Sequence, residues 1–118
     1  MEQIKAAIGA FVKAGDNRDI VALEEILHIN FQNIQDGFFD EDRICVFSKD
    51  DYIELIRTEK FGGSPRSIDF HSIEHTGNIA IVRVKLESQY LIFHSLIVCV
   101  HDSGHWKIIN NTPTIEAK

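Results

Sequence analysis

The sequence predicts a single α+β domain, with helices in the first half of the chain and antiparallel strands in the second. Apolar residues recur at helical spacing near the N-terminus. The residues after Arg66 are rich in strand formers, with clear apolar and polar alternation at 79–88 and turn signals at Gly77-Asn78 and Asp102-Ser103-Gly104. The 118 residues, 44% of them hydrophobic and 25% charged, suit one globular core, so we expect residues 1–118 to form one domain.

Three amphipathic helices are predicted before residue 62. The apolar stripe of the first comprises Ile4, Ala7, Ile8, Phe11 and Val12. Gly15 is its candidate C-terminal cap, and Asp16 is the candidate cap of a short second helix. Ser48 is expected to cap the third helix, with Asp51 at the third helical position. The buried face of the third helix is predicted to carry Tyr52, Leu55 and Ile56.

Six strands are predicted around these helices. The first is expected at residues 29–35, where Asp36-Gly37 interrupts it. Residues 38–42 are expected to form a loop before a short second strand. Four long strands are predicted at residues 67–76, 79–88, 90–101 and 106–112. The stretch 90–101 is apolar on both faces, which favours a central strand that is covered on both sides.

Composition excludes several functions. The net charge of −6 and the absence of a Lys/Arg cluster disfavour nucleic-acid binding. No apolar stretch approaches the roughly twenty residues of a membrane span, and no secretion signal begins the chain, so a cytoplasmic location is expected. Cys45 and Cys99 form no CxxC pair and are expected to be buried and inert. No cofactor is expected.

Several local patterns carry a family resemblance. They are the break and second helix at residues 16–23, the approach to the first strand at 27–31, and the hairpins at 77–82 and 104–109. With the order of the elements, they make the whole chain resemble the NTF2-like (nuclear transport factor 2-like) superfamily. It is most similar to the SnoaL-like and lumazine-binding-like branches. That resemblance implies a cone-shaped fold, with three N-terminal helices packed on a strongly curved antiparallel sheet.

The resemblance also implies a pocket between the helices and the sheet, and homodimers formed through the outer sheet face. Members include isomerases, cyclases, dehydratases and non-catalytic binding modules, so fold alone does not give function. Three hypotheses follow. The chain binds a small, mostly apolar ligand; or it is a SnoaL-like enzyme acting on a hydrophobic carbonyl compound; or it is a dimerising module with a vestigial pocket.

Candidate pocket residues come first from the first strand. Alternation places Phe31, Asn33 and Gln35 on one face, and Asp36 on the other. The resemblance implies a carboxylate base at the position of Gln35, where an amide cannot accept a proton at neutral pH. A register slip of one residue would make Asp36 the base, whereas its simplest role is to begin an Asp-Gly turn.

His94 lies within the apolar stretch and has two interpretations, a hydrogen-bonded core or interface histidine, or an acid/base group in the pocket. Tyr52 is a candidate hydroxyl donor to a ligand. One of Asn110 and Asn111 is expected at the pocket mouth and the other in water. His71 and His75 would lie roughly 13 Å apart on a strand, so no metal site is predicted.

Overall fold

The computed structural model describes residues 1–38 and 41–118. Within them three helices pack on a six-stranded sheet. The helices are α1 (Glu2–Asp16), α2 (Ile20–Ile26) and α3 (Lys49–Arg57). The strands are β1 (Leu27–Phe38), β2 (Glu41–Ser48), β3 (Ser67–Thr76), β4 (Ile79–Glu87), β5 (Leu91–Asp102) and β6 (His105–Ala117). The loop predicted at 38–42 falls partly outside the described residues; β1 and β2 occupy its two ends.

The sheet has the strand order β2-β1-β6-β5-β4-β3 and is not closed. Four neighbouring pairs are antiparallel, as predicted, but β1 and β6 run parallel. The sheet is therefore mixed. Turns and hairpin patterns indicate pairing between strands that follow one another in the chain. They carry no information about β6, which returns to lie beside β1 from the far end of the sequence.

Capping side chains mark the starts of α2 and α3. Ser48 Oγ accepts from the backbone N–H of Asp51 over 3.2 Å, which confirms the predicted cap of α3. The predicted cap of α2 is wrong: Asp19, not Asp16, accepts from the N–H of Ala22. Asp16 is instead the last residue of α1, where it binds Arg66.

The core lies between the helices and one face of the sheet. The predicted stripe of α1 is buried against it, and α3 contributes Tyr52, Ile53 and Ile56, so Ile53 takes the place predicted for Leu55. From β4 the buried side chains are Ala80, Val82, Val84 and Leu86. Both cysteines are free and buried, and burial raises the pKa of Cys99 to about 12.

The loop after α3 is held against the end of α1. Arg18 donates from Nε to the carbonyl of Phe61 over 3.1 Å and from one terminal nitrogen to that of Gly62 over 3.0 Å. The N–H of Gly63 donates to the carbonyl of Gly15 over 3.2 Å. Gly62 has φ +76° there, a conformation that favours glycine. These bonds fix one wall of a cavity.

Candidate functional site

A cavity of about 510 Å³ lies between the α1 and α3 ends, the loop after α3, and the inner faces of β1, β5 and β6. This volume is in the range of small-molecule sites. Its apolar lining includes Ile56, Phe61, Leu91, Phe93 and Ile115. The exposed side chains of Asp36, Lys60 and Tyr90 also line it and mark its mouth. The site is therefore an apolar pocket open at one end.

Three amide side chains form a buried relay along one wall. Asn111 Nδ2 donates to Asn33 Oδ1 over 2.8 Å, and Asn33 Nδ2 donates to Gln35 Oε1 over 2.8 Å. Gln35 Nε2 donates in turn to the carbonyl of Gly37 over 3.1 Å. All three amide residues are less than 10% exposed. Buried polar groups are normally bonded in this way, so the relay is a fixed wall of neutral groups.

The sheet register assembles this relay. Alternation along β1 turns Asn33 and Gln35 inward, as predicted. The parallel pairing of β1 with β6 places Asn111 opposite Asn33. Asn110 takes the other parity and binds Thr112, accepting from its hydroxyl over 2.7 Å. Of the two asparagines that the sequence left open, Asn111 is therefore the one in the pocket.

Two buried polar atoms on this wall have no hydrogen-bond partner in the described residues: Ser95 Oγ and Asn111 Oδ1. Ser95 is 5% exposed and Asn111 8%, and both line the cavity. Leaving a buried polar atom unpaired costs roughly 1–3 kcal/mol. Atoms of this kind are what a ligand, or water in its absence, would satisfy.

Tyr52 contributes an aromatic wall from α3. Its ring packs edge-on against Phe31, with ring centroids 5.3 Å apart, and lies 5.9 Å from Phe61. Burial raises the pKa of the Tyr52 hydroxyl, and the nearby Arg66 charge only partly opposes this. The phenol is therefore protonated at neutral pH and cannot act there as a phenolate base.

Arg66 is the charged group nearest the interior of the pocket, and its charge is already balanced. Its Nε donates to Asp16 Oδ1 over 2.6 Å, and its backbone N–H donates to Asp16 Oδ2 over 3.0 Å. A terminal nitrogen donates to the carbonyl of Val12, and the guanidinium lies 5.0 Å from the Phe93 ring centroid. This binding leaves little attraction for an anionic ligand.

The predicted pocket residues divide into three groups. Asn33, Gln35 and Tyr52 line the cavity. Phe31 shares their face but is 1% exposed and packs in the core between Tyr52 and Phe11. Asp36 lies at the mouth, next to Gly37, whose φ of +93° coincides with a shift of the β1–β2 register. Gln35 and Asp36 are therefore both at the pocket, one inside and one at its rim.

His94 does not lie in the cavity, so its predicted place in the pocket is wrong. Its side chain is 51% exposed, and Nε2 lies 3.4 Å from Glu116 Oε1 on the outer face of the sheet. The inward position belongs to its neighbour Ser95, because side chains alternate along β5. This exposure also excludes a core histidine, whereas the position of His94 on the outer face leaves the interface interpretation as a prediction.

Sequence reasoning missed Ser95, Asn111 as a relay member, and the Asp16–Arg66 pair. Ser95 was visible as the polar neighbour of His94 in an otherwise apolar stretch, and one of the two had to face inward. Within the described residues no group of three or more His, Cys, Asp or Glu side chains could hold a metal ion. No helix in that part of the chain is long and apolar enough to cross a membrane.

Solved structures show which fold this is. An NTF-2 like protein of unknown function from Silicibacter pomeroyi aligns with a TM-score of 0.79 and 18% identity, covering 99% of this chain and 94% of that one. One from Shewanella baltica aligns at 0.82 and 12%, with the same coverage. A ketosteroid isomerase-like protein from Erwinia carotovora atroseptica aligns at 0.79 and 16%, covering 99% and 96%. At such identities these likenesses establish the NTF2-like fold alone.

No curated protein matches the sequence. One family model does, and its description is "Putative lumazine-binding". The match runs over residues 1–112 and so includes the helices, the three relay residues and most of the residues that line the cavity. The chain therefore belongs to the "Putative lumazine-binding" family, within the NTF2-like fold.

Proposed function

We propose that this protein binds a small, mostly apolar ligand in the cavity between its helices and sheet. The observation that carries the proposal is the pair of unpartnered buried atoms, Ser95 Oγ and Asn111 Oδ1, at the base of an apolar pocket. A filled core would leave no such space. The free energy lost at these atoms is recovered when a ligand binds them.

The charges around the pocket favour a neutral ligand. Arg66 is balanced by Asp16, and the relay offers only amide groups. Asp36 and Lys60 have opposite signs and are exposed at the mouth, where solvent screens them. A ligand with a net charge would gain little from these groups and would lose its hydration.

Two neutral naphthalenes, 2-naphthol and 2-methoxynaphthalene, are suitable probes. Titration into isotope-labelled protein, followed by NMR, should shift saturably the amide signals of residues that line the cavity. Ser95→Leu should block binding by filling the space, whereas His94→Leu, the same side chain on the outer face, should not. The absence of a saturable shift for either probe at millimolar concentration would refute the proposal.

An enzyme is the second candidate, and the position of Asp36 at the mouth favours it. Asp36 would act as the base for a hydrophobic carbonyl compound in a SnoaL-like isomerase, cyclase or dehydratase. Exchange of the α-protons of 2-acetylnaphthalene in D₂O tests this by NMR. Exchange that the protein accelerates and that Asp36→Asn abolishes supports catalysis; exchange at the buffer rate counts against it.

We also propose that two copies associate through the outer sheet face. This proposal does not depend on whether the pocket binds a ligand or is vestigial. That face exposes Ile44, Val46, Ile79 and Ile81, and patches of this kind often mark interfaces. Oppositely charged residues also lie side by side on it, such as Asp69 opposite Lys85, so the face can be complementary to itself.

We propose separately that the protein is located in the cytoplasm, which cell fractionation would test.

A further inference from the structure

The amide relay has a direction, which its last member determines. The carbonyl of Gly37 can only accept a hydrogen bond, so the atom of Gln35 that faces it, 3.1 Å away, must be the amide nitrogen. Gln35 then presents its oxygen to Asn33, which must donate through Nδ2. Asn33 in turn presents its oxygen to Asn111, which donates through its own Nδ2.

This direction determines which atom is left unpaired at the free end of the relay, which is Asn111. Rotating the Asn111 amide by half a turn would set two oxygens against each other at 2.8 Å. Asn111 therefore keeps Oδ1 as its unpaired atom, and Oδ1 is a hydrogen-bond acceptor. The deep wall of the pocket requires a donor.

Ser95 lies close to this acceptor. β5 pairs with β6 so that Ile97 is opposite Asn111 and Ser95 is opposite Pro113. Ser95 and Asn111 are therefore diagonal neighbours on the same face, roughly 7 Å apart. The Ser95 hydroxyl can donate or accept, so it adapts to whatever the ligand places beside its donor group.

We infer that the polar end of the ligand is a hydrogen-bond donor, an O–H or N–H group that binds Asn111 Oδ1 with Ser95 Oγ beside it. This inference depends on the proposed function. The ligand class is then a neutral, flat, apolar compound with a hydroxyl group or a lactam N–H. A ketone, an ether or a carboxylate at this end would meet the lone pairs of Asn111 with lone pairs of its own.

The naphthalene probes separate these chemistries, because 2-naphthol has the donor that 2-methoxynaphthalene and 2-acetylnaphthalene lack. We expect 2-naphthol to bind roughly tenfold more tightly than either, as one buried hydrogen bond allows. The preference should fall to near onefold in Asn111→Ala. It should remain in His94→Ala, which changes the residue beside Ser95 on the outer face.

Each result has one meaning. Equal binding of all three probes in the cavity would refute the donor requirement and leave the proposed function intact. Binding of none would refute both. A preference for 2-naphthol that persists in Asn111→Ala would refute the assignment to Asn111. If that variant does not fold, the side-chain amide signal of Asn111 in the wild-type protein decides the matter: 2-naphthol should shift it more than the two probes without a donor, and an equal shift by all three would refute the assignment.

Discussion

The carboxylate of Asp16 binds Arg66 twice, accepting from Nε over 2.6 Å and from the backbone N–H over 3.0 Å. Both side chains are about nine-tenths buried. The pair joins the last residue of α1 to the residue before β3, 50 positions later in the chain. It thereby holds the end of α1, the loop after α3 and the Phe93 wall around one cavity.

We predict that Asp16→Ala lowers the free energy of unfolding by about 3 kcal/mol, because it leaves the Arg66 charge buried without its partner. The control is Glu54→Ala, which removes a carboxylate from the exposed pair with Arg57 and should cost less than about 1 kcal/mol. Urea unfolding measures both. Equal losses of unfolding free energy in the two variants would show that the buried pair contributes no more to stability than the exposed pair.

The second prediction concerns Gly62, which has φ +76° and packs against the end of α1. A Cβ atom there would lie 2.3 Å from the carbonyl oxygen of Gly15, a backbone atom that cannot move aside cheaply. Gly62→Ala should therefore cost more than about 2 kcal/mol. Gly77→Ala, at φ +60° in an open hairpin turn, should cost only about 1 kcal/mol.

Urea unfolding again provides the measurement, and the difference between the two glycine variants is the quantity of interest. Both introduce the same methyl group at a positive φ, so backbone strain is common to both. A loss at Gly62 no greater than that at Gly77 would contradict the close approach of the loop to α1.

The third prediction is a pH dependence that arises at Cys99. Its pKa is about 12 in the folded protein, against 9.0 for an ordinary thiol, because burial disfavours the thiolate. Above pH 9 the unfolded chain loses this proton while the folded chain keeps it. Stability is therefore complete below about pH 9 and falls as the pH rises toward 12, by about 1.4 kcal/mol at pH 10.

Urea unfolding at pH 8, 9 and 9.5 tests this where Tyr52, whose pKa is raised from an ordinary 10.0, contributes little. Cys99→Ala should remove the decline whatever it does to stability at pH 8. Cys45→Ala keeps Cys99 and should keep the decline. A slope that survives in Cys99→Ala would assign the effect to another group.

The parts of the site that alternation determines were predictable. β1 has a clear inward face, so the sequence placed Asn33 and Gln35 together correctly. β5 does not, because it is apolar on both faces, and its parity could not be decided. The pocket interpretation of His94 is therefore wrong: His94 faces outward and its neighbour Ser95 faces inward.

The sequence pattern could not predict contacts between residues that are distant in the chain. The relay depends on Asn33 and Asn111, which are 78 positions apart and meet only because β6 runs parallel to β1. The Asp16–Arg66 pair is of the same kind, and it occupies the carboxylate that the local pattern assigns to the cap of α2. Local propensity predicts that an aspartate just before a helix will accept from the N–H groups of its first turn, but here a distant arginine binds the carboxylate instead.

The last prediction tests association through the outer sheet face. Ile81 is 38% exposed on β4, in line with Val98 of β5, and a carboxylate there would be buried unpaired in an interface. We expect light scattering to give a dimer for the wild-type protein at tens of micromolar, roughly where a standard interface holds. Ile81→Asp should give a monomer. Val21→Asp replaces an exposed apolar residue on α2, and should remain dimeric. Either of two results would contradict this prediction: a wild-type protein that is monomeric, or a dimer that Val21→Asp disrupts and Ile81→Asp does not. The exposed sheet residues would then lie outside any interface.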